Sequence, residues 1–292
     1  MKTTIEQWRM LEALIKHGSF AKAASAIHKS QSSINTAVHK LQDSLGVTLV
    51  TTQGKRTTLT TAGELLLRRG SLVLDEVKRI EELAQQLGNE VETHFPVAVD
   101  SIFPYEVIYR AFDELSIHYP FTRVELRETI LSGSNELFAS GEVTVAISAS
   151  APPGILPEQI AEVEFVAVAS PHHPLTAKPA PLSPQDLQAF RQIVTRDSGQ
   201  HHNKDSGWLE AEQRWTVTNL DTSIDLIKRG FGYAWLPRTK IDEAIRLGEL
   251  VELPLQAGTT RHQTLYLVTP DEASLGPVAR CFITTLRRMR DE

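Results

Sequence analysis

A single cysteine, Cys281, occurs in 292 residues. That excludes an internal disulfide and a thiolate metal cluster, and a reducing, cytoplasmic setting is expected. No apolar run approaches the ~18 residues a membrane helix needs. The opening MKTTIEQWRM has no apolar segment after Lys2, so no secretory leader is expected. There is no solenoid-period repeat and no low-complexity tract. Catalytic signatures are also missing: no G-x-S-x-G elbow, no Walker A, and no G-x-G-x-x-G after a strand. No H-x-x-x-H spacing occurs, and the adjacent His201 and His202 cannot share a face. No enzyme, cofactor or metal is therefore expected. What remains is ordinary globular composition, 41% hydrophobic and 23% charged, with chain enough for two or three folding units.

Charge is uneven. Residues 1–62 carry eight Lys/Arg and three acids, a net +5, and the remainder carries −11. A basic head on an acidic body suggests a polyanionic partner for the head alone.

The head reads as three helices and a hairpin. Thr4 with Gln7 is a capping box for a first helix carrying Trp8, Leu11, Leu14 and Ile15, stopped by Gly18. Ser19 caps an Ala-rich second helix through Ala26. Ser30 caps a third, running to Leu45 and closed by Gly46, with Ile34, Val38, Leu41 and Leu45 inward. Its other face begins with Gln31, Ser32, Ser33, Asn35 and Thr36 and continues to His39 and Lys40. Short donor- and acceptor-rich side chains at a helix N-terminus suit base edges, while the free N–H groups suit phosphate. Strands are expected at Val47–Val50 and Thr57–Thr60, with Lys55 and Arg56 at the tip, a wing for phosphate or minor-groove contact. The candidate DNA contacts are Ser30, Gln31, Ser32, Ser33, Asn35, Thr36, Lys40, Lys55 and Arg56.

A long helix follows. Thr61 with Glu64 is a second capping box, and Gly88 is the expected stop. Leu66, Val73, Ile80 and Leu87 repeat every seven residues among charged neighbours. A stripe of this kind wants a partner, most simply its copy in a dimer. Paired recognition helices would then meet successive major grooves about 34 Å apart.

The string from Gly18 to Leu67 resembles the N-terminus of LysR-type transcriptional regulators. The resemblance rests on Gly18-Ser19-Phe20, Ala23-Ala24, Gln31-Ser32-Ser33, Ile34, Lys40-Leu41-Gln42, Leu45-Gly46 and Leu59-Thr60-x-Ala62-Gly63. Leu49-Val50-Thr51-Thr52 stands where the family has Leu-Phe-x-Arg, and Gln42 stands where Glu is common. The resemblance implies a multi-domain α+β chain: a winged helix-turn-helix at 1–60, a linker and dimerisation helix at 61–88, and an effector domain at 93–292. That domain would be an α/β periplasmic-binding-protein-like fold, with subdomain I at 93–163 and 267–292 and subdomain II at 164–266. Implied partners are double-stranded DNA, an anionic small-molecule effector and a second copy through the linker helix. A tetramer is expected, RNA polymerase is a candidate partner, and no membrane is involved.

The body alternates strand and helix patterns, implying parallel strands with crossover helices. Strands are expected at Phe95–Val99, Arg123–Glu128, Val143–Ser148, Val163–Ala169, Arg191–Thr195, Arg214–Thr218 and His262–Val268. Helices are expected at Tyr105–Tyr119, Asn135–Ser140, Ile224–Arg229 and Pro277–Arg290. Ser170 to Leu175 and Gly230 to Pro237 carry the resemblance onward, and Thr144 departs from the family's Asp in Gly-x-x-Asp-x-x-Ile. Ligands of open α/β folds bind beyond strand carboxyl ends. The residues falling there are Ser101, Ile102, Thr129, Ser132, Ser148, Arg196 and Asn219, with His202 contributed by a polar loop at 196–208. The family's effector positions correspond to Ser101, Thr129 and the Arg196 region. A helix-capping role for Thr129 and Ser132 stands beside the ligand role. Two alternatives are a redox sensor through Cys281 and a hydrolase with a spatially assembled Ser/His/Asp site.

Overall fold

The computed structural model describes residues 2–53, 56–88, 91–156, 158–200, 211–258 and 260–292. The chain divides into two compact units, Met1–Asn89 and Glu90–Glu292.

In the first unit, helices α1 (Ile5–His17), α2 (Phe20–Ala26) and α3 (Gln31–Leu45) precede strands β1 (Val50–Gln53) and β2 (Arg56–Leu59), then helix α4 (Thr61–Gly88). The Thr4 N–H donates to Gln7 Oε1 at 2.8 Å and the Thr4 hydroxyl accepts the Gln7 N–H at 3.3 Å, the expected capping box. Gly18 ends α1 at φ 74°, where a Cβ would be strained. Leu11, Leu14, Ile34, Val38, Leu41 and Leu49 are fully buried together, each stabilising the unit by roughly 1.5–3 kcal/mol.

The wing starts three residues later than its composition suggests. Gln42 Oε1 accepts the Leu49 and Val50 N–H groups at 2.7 and 3.2 Å, and the Leu49 carbonyl accepts the Thr60 N–H. Residues 47–49 are thus held by α3 and the chain before α4, and the ladder begins only at Val50↔Leu59. The cap of α4 is also displaced. Thr60, not Thr61, accepts the Gly63 N–H on its hydroxyl, at 2.9 Å, and the Glu64 N–H on its carbonyl, at 2.8 Å. Gly63 passes so close to the residue before β1 that an added Cβ would overlap the Leu49 carbonyl oxygen.

Helix α4 presents two faces. Gly63, Leu67, Gly70 and Leu74 are buried at helical spacing, with the Trp8 ring lying over Gly70. Leu65, Leu72, Val73 and Ile80 are exposed. The heptad read from sequence therefore splits: Leu66 packs on the head core, while Val73 and Ile80 face outward. The Leu87 side chain lies outside the described residues.

The second unit holds β3 (His94–Asp100), α5 (Tyr105–His118), β4 (Arg123–Thr129), α6 (Gly133–Ala139), β5 (Val145–Ser148) and β6 (Glu158–Ala169). It continues through α7 (Pro184–Gln188), β7 (Gln192–Thr195), β8 (Arg214–Val217), α8 (Leu220–Lys228), β9 (Tyr233–Pro237), α9 (Arg238–Arg246), β10 (Val251–Glu252), β11 (Thr260–Val268) and α10 (Pro277–Asp291). The strand order is β4-β3-β5-β11-β6-β9-β7-β8, with β10 on β6.

The expected parallel pairing holds at both ends, where β3 lies between β4 and β5, and β7 between β8 and β9. The middle is antiparallel, because β11 returns from far along the chain to pair with both β5 and β6. The expected crossover points, 163/164 and 266/267, fall inside the long strands β6 and β11. Helices α7 and α9 and strand β10 were not anticipated. The short α7 begins at Pro184 under a Ser183/Asp186 capping box. Glu92 caps α10, its carboxylate accepting the Val278 and Ala279 N–H groups at 3.0 and 3.1 Å.

Candidate functional site

The head presents one polar ridge. Packing Ile34, Val38 and Leu41 inward turns Gln31, Ser32, Asn35, Thr36, His39 and Lys40 outward, and all six are exposed. Ser30 is the N-cap of α3, its hydroxyl accepting the Ser33 N–H at 3.1 Å. The same hydroxyl lies 2.9 Å from Ser32 Oγ and 2.7 Å from Ser33 Oγ. Three hydroxyls are thereby set in one cluster at the positive end of a helix, where phosphate oxygens are favoured. Lys55 lies outside the described residues. Arg56 begins β2, and the Thr57 N–H donates to the Gly18 carbonyl at 3.0 Å, fixing the hairpin to the end of α1.

The second unit contains a cavity of about 200 Å³. It is walled by Asp100, Ser101 and Ile102 after β3, Ile130 and Leu131 after β4, Gln192 to Thr195 of β7, and Leu220 and Ser223 of α8. Phe165 of β6, Trp235 of β9, and Arg261, His262 and Gln263 of β11 complete it. A space of this size is on the scale of a small metabolite.

Of the residues expected here, Ser101 and Ile102 line the cavity. The others do not. The Thr129 hydroxyl pairs with Ser134 Oγ, which donates to the Ile147 carbonyl. Ser132 gives its N–H and its hydroxyl to Asp197, at 3.0 and 2.9 Å. Ser148 is buried in β5 opposite Tyr266. Arg196 is exposed beside a separate depression formed with Thr218 and Gln200. Asn219 caps α8, accepting the Asp221 and Thr222 N–H groups at 2.8 and 3.2 Å. His202 lies outside the described residues. For Thr129, Ser132 and Asn219 the physical reason is that a short polar side chain at a strand end finds a partner in the neighbouring chain, a hydroxyl, a carboxylate or backbone N–H groups, and the bond is made internally.

These internal bonds form a clasp across one rim of the cavity. The Ser198 N–H donates to the Ile130 carbonyl at 3.1 Å, and Ser198 Oγ accepts the Ile130 N–H at 2.8 Å. The Gln200 N–H donates to Glu136 at 2.7 Å. Packing is tight enough that a Cβ on Gly133 would strike Ser198 Oγ, and one on Gly199 would strike Ser132 Oγ.

The charged lining groups were not anticipated. Asp100 is fully buried and accepts the Ile102 and Leu131 N–H groups, at 3.2 and 3.0 Å. Burial pushes its carboxyl up to about 7, against those two bonds, with nearby Asp197 adding to the rise. Arg261 lies over the Trp235 ring, 4.2 Å from its centroid, and is half-buried. Among the described residues it has no carboxylate partner. The Trp235 indole N–H donates to the Gly258 carbonyl at 3.0 Å, fixing the ring beneath the guanidinium. The Ser223 hydroxyl is buried and unpaired among the described residues.

Comparison with known proteins decides the family. The model of the LysR substrate binding domain matches residues 88–291, and that of the bacterial regulatory helix-turn-helix protein, lysR family, matches residues 5–64. The chain belongs to the LysR-type transcriptional regulators. This regulator is 29% identical over 264 residues to the HTH-type transcriptional regulator YeeY of Escherichia coli, covering 89% of this chain and 85% of that one. It is 26% identical to the HTH-type transcriptional regulator YhaJ of the same species, covering 85% of this chain and 84% of that one. Its fold is similar to that of CrgA, a LysR-type regulator of Neisseria meningitidis, at a TM-score of 0.54 and 20% identity over the full length of both. The regulator thus joins a DNA-binding helix-turn-helix to an effector-binding domain.

Neither alternative reading gains support from the geometry. The half-buried thiol of Cys281 in α10 is pushed up, away from the reactive thiolate, by burial and by Glu114. No histidine is hydrogen-bonded to the Ser101 hydroxyl among the described residues. In the described residues no helix is long and apolar enough to cross a membrane, and no cluster could hold a metal.

Proposed function

We propose that the outward ridge of α3 reads base edges in a major groove while the Ser30 cluster and the wing residues Lys55 and Arg56 hold phosphate. The observation that carries this reading is the ridge itself: Gln31, Ser32, Asn35, Thr36 and Lys40 exposed together along one helix. Side chains of these types match the donor and acceptor patterns of base pairs. The exposed Leu65, Leu72, Val73 and Ile80 of α4 support a homodimer through this helix, and dimers pair into a tetramer that contacts RNA polymerase at a promoter. In the effector-binding domain, an anionic small molecule enters the cavity and is met by Arg261, supported by its half-burial without a carboxylate partner among the described residues. Subdomains I and II close on it about β6 and β11, and the closed arrangement reorients the DNA-binding heads.

Selection of genomic fragments by the full chain, followed by footprinting, tests the DNA reading. Protection of two half-sites on one face, about one helical turn or a multiple apart, is expected. Binding that ignores sequence, and is unchanged by Gln31→Ala and Asn35→Ala, overturns it.

A further inference from the structure

The cavity wall carries a carboxyl and a guanidinium that, among the described residues, pair neither with each other nor with any other charged side chain. Asp100 sits at the carboxyl end of β3, its oxygens met only by two backbone N–H groups among the described residues. Arg261 sits within β11, stacked on Trp235 and without a carboxylate among the described residues. A buried carboxylate and a half-buried guanidinium are each costly to desolvate without a partner of opposite charge. When both line one cavity yet form no pair, a ligand can complete both at once only by carrying both charges itself.

We propose that the effector is a small zwitterion of the amino-acid class, its carboxylate on Arg261 and its ammonium on Asp100. This rests on the cavity being the effector site and adds the ligand's second charge. The remaining chemistry fits. Ile102, Phe165 and Leu220 offer an apolar surface for an uncharged side chain, and the unpaired Ser223 hydroxyl offers a further hydrogen bond. Arg261 presents a planar fork for two carboxylate oxygens, and Trp235 fixes the plane of that fork. Each Asp100 oxygen accepts one backbone N–H and retains a lone pair for an ammonium hydrogen. The elevated Asp100 pKa, about 7, is what burial without a cation produces, and an ammonium beside it would hold the group ionised.

The test uses the full chain and matched trios that differ only in charge. One trio is leucine, 4-methylpentanoate and 3-methylbutylamine. A second is phenylalanine, 3-phenylpropanoate and 2-phenylethylamine. A third is 5-aminopentanoate, pentanoate and pentylamine. Thermal melting screens all nine compounds, and calorimetry measures those that shift the melt. The expected result is that the zwitterion of at least one trio binds, and that both of its singly charged counterparts bind about tenfold or more weaker. Asp100→Asn and Arg261→Gln should each lower zwitterion affinity by about tenfold or more, while Arg261→Lys recovers part of it. Asp100→Asn should leave binding of the corresponding carboxylate unchanged or improved. Circular dichroism and DNA binding of each variant establish that it is folded.

Carboxylates that bind as tightly as their amino counterparts, with no response to Asp100→Asn, overturn the zwitterion and leave an anion-binding effector cavity. Zwitterion binding that persists in both Asp100→Asn and Arg261→Gln overturns the placement and puts the ligand elsewhere. No shift from any of the three zwitterions also overturns the proposal. Sequence-selective DNA binding by the same preparation separates that outcome from failure of the regulator reading.

Discussion

Asp197, after β7, receives both the backbone N–H and the hydroxyl of Ser132, before α6. The carboxylate also accepts the Gly199 N–H at 2.9 Å, so one buried side chain organises both strands of the clasp. Hydrogen bonds to a charged group contribute about 1.5–3 kcal/mol. Ser132→Ala should therefore destabilise the ligand-free chain by that order, read as a lower urea midpoint. A hydroxyl that served only a ligand would leave the ligand-free midpoint unchanged.

Gln42 binds the start of the wing through one side-chain oxygen and two backbone N–H groups. Gln42→Ala leaves both donors without that partner and should cost about 1–3 kcal/mol in thermal stability. Gln42→Glu retains an acceptor and should stay close to the parent. Equal losses in both variants would show that the amide N–H₂, not the oxygen, is the group that matters.

At Gly63 an added Cβ would meet backbone, which cannot rotate aside. Gly63→Ala should lower head stability by about 1–3 kcal/mol despite the better helix propensity of alanine. Gly88, at the end of the same helix, has open space around it, and Gly88→Ala serves as the control.

DNA binding should divide into two kinds of effect. Gln31→Ala and Asn35→Ala should narrow the gap between preferred and altered sites by about 1–3 kcal/mol. Lys55→Ala and Arg56→Ala should weaken all sequences alike and lower the salt slope by about 0.9 per lost phosphate contact. A salt slope unchanged by both wing substitutions would remove the wing from the interface.

Asp100 makes stability depend on pH in the opposite sense to an ion-paired carboxylate. Its folded value, about 7, lies above the ordinary 3.8, so the folded state holds a proton that the unfolded state releases. The advantage over an uncharged side chain is greatest below about pH 4, declines as pH rises through 7, and is constant above. Its span is on the order of 4 kcal/mol. Denaturant midpoints of the parent and Asp100→Asn, compared from pH 4 to 8, should show the difference shrinking with pH; a difference that grows would contradict the assignment.

The sequence is most readable where a structure is made by near neighbours. Thr4 and Gln7, Ser19 and Lys22, and Ser30 and Ser33 are each three apart, so cap and helix are declared together. The winged head follows from such signals. The cavity does not, because Asp100, Ser223 and Arg261 meet only when β3, α8 and β11 are assembled. Arg196 and Arg261 look alike in the string. One leaves the end of β7 toward solvent, while the other lies within a strand that passes the cavity. Strand ends are visible in composition; the strand whose middle crosses the site is not.

The Glu92 cap on α10 links positions 186 and 187 residues apart. Strand β5 likewise waits for Tyr266–Val268 before its second edge is covered. Within the described part of the first 88 residues, the Ser71 hydroxyl donates to Glu12 across only 59 positions. A chain made from its N-terminus at ~5–20 residues per second therefore has the described internal partners of its DNA-binding head seconds before its last helix emerges. The head's contacts are local and quick to form, whereas the sensing unit closes on long loops. Each nascent molecule thus completes the internal contacts of its DNA-binding head before those of its sensing unit.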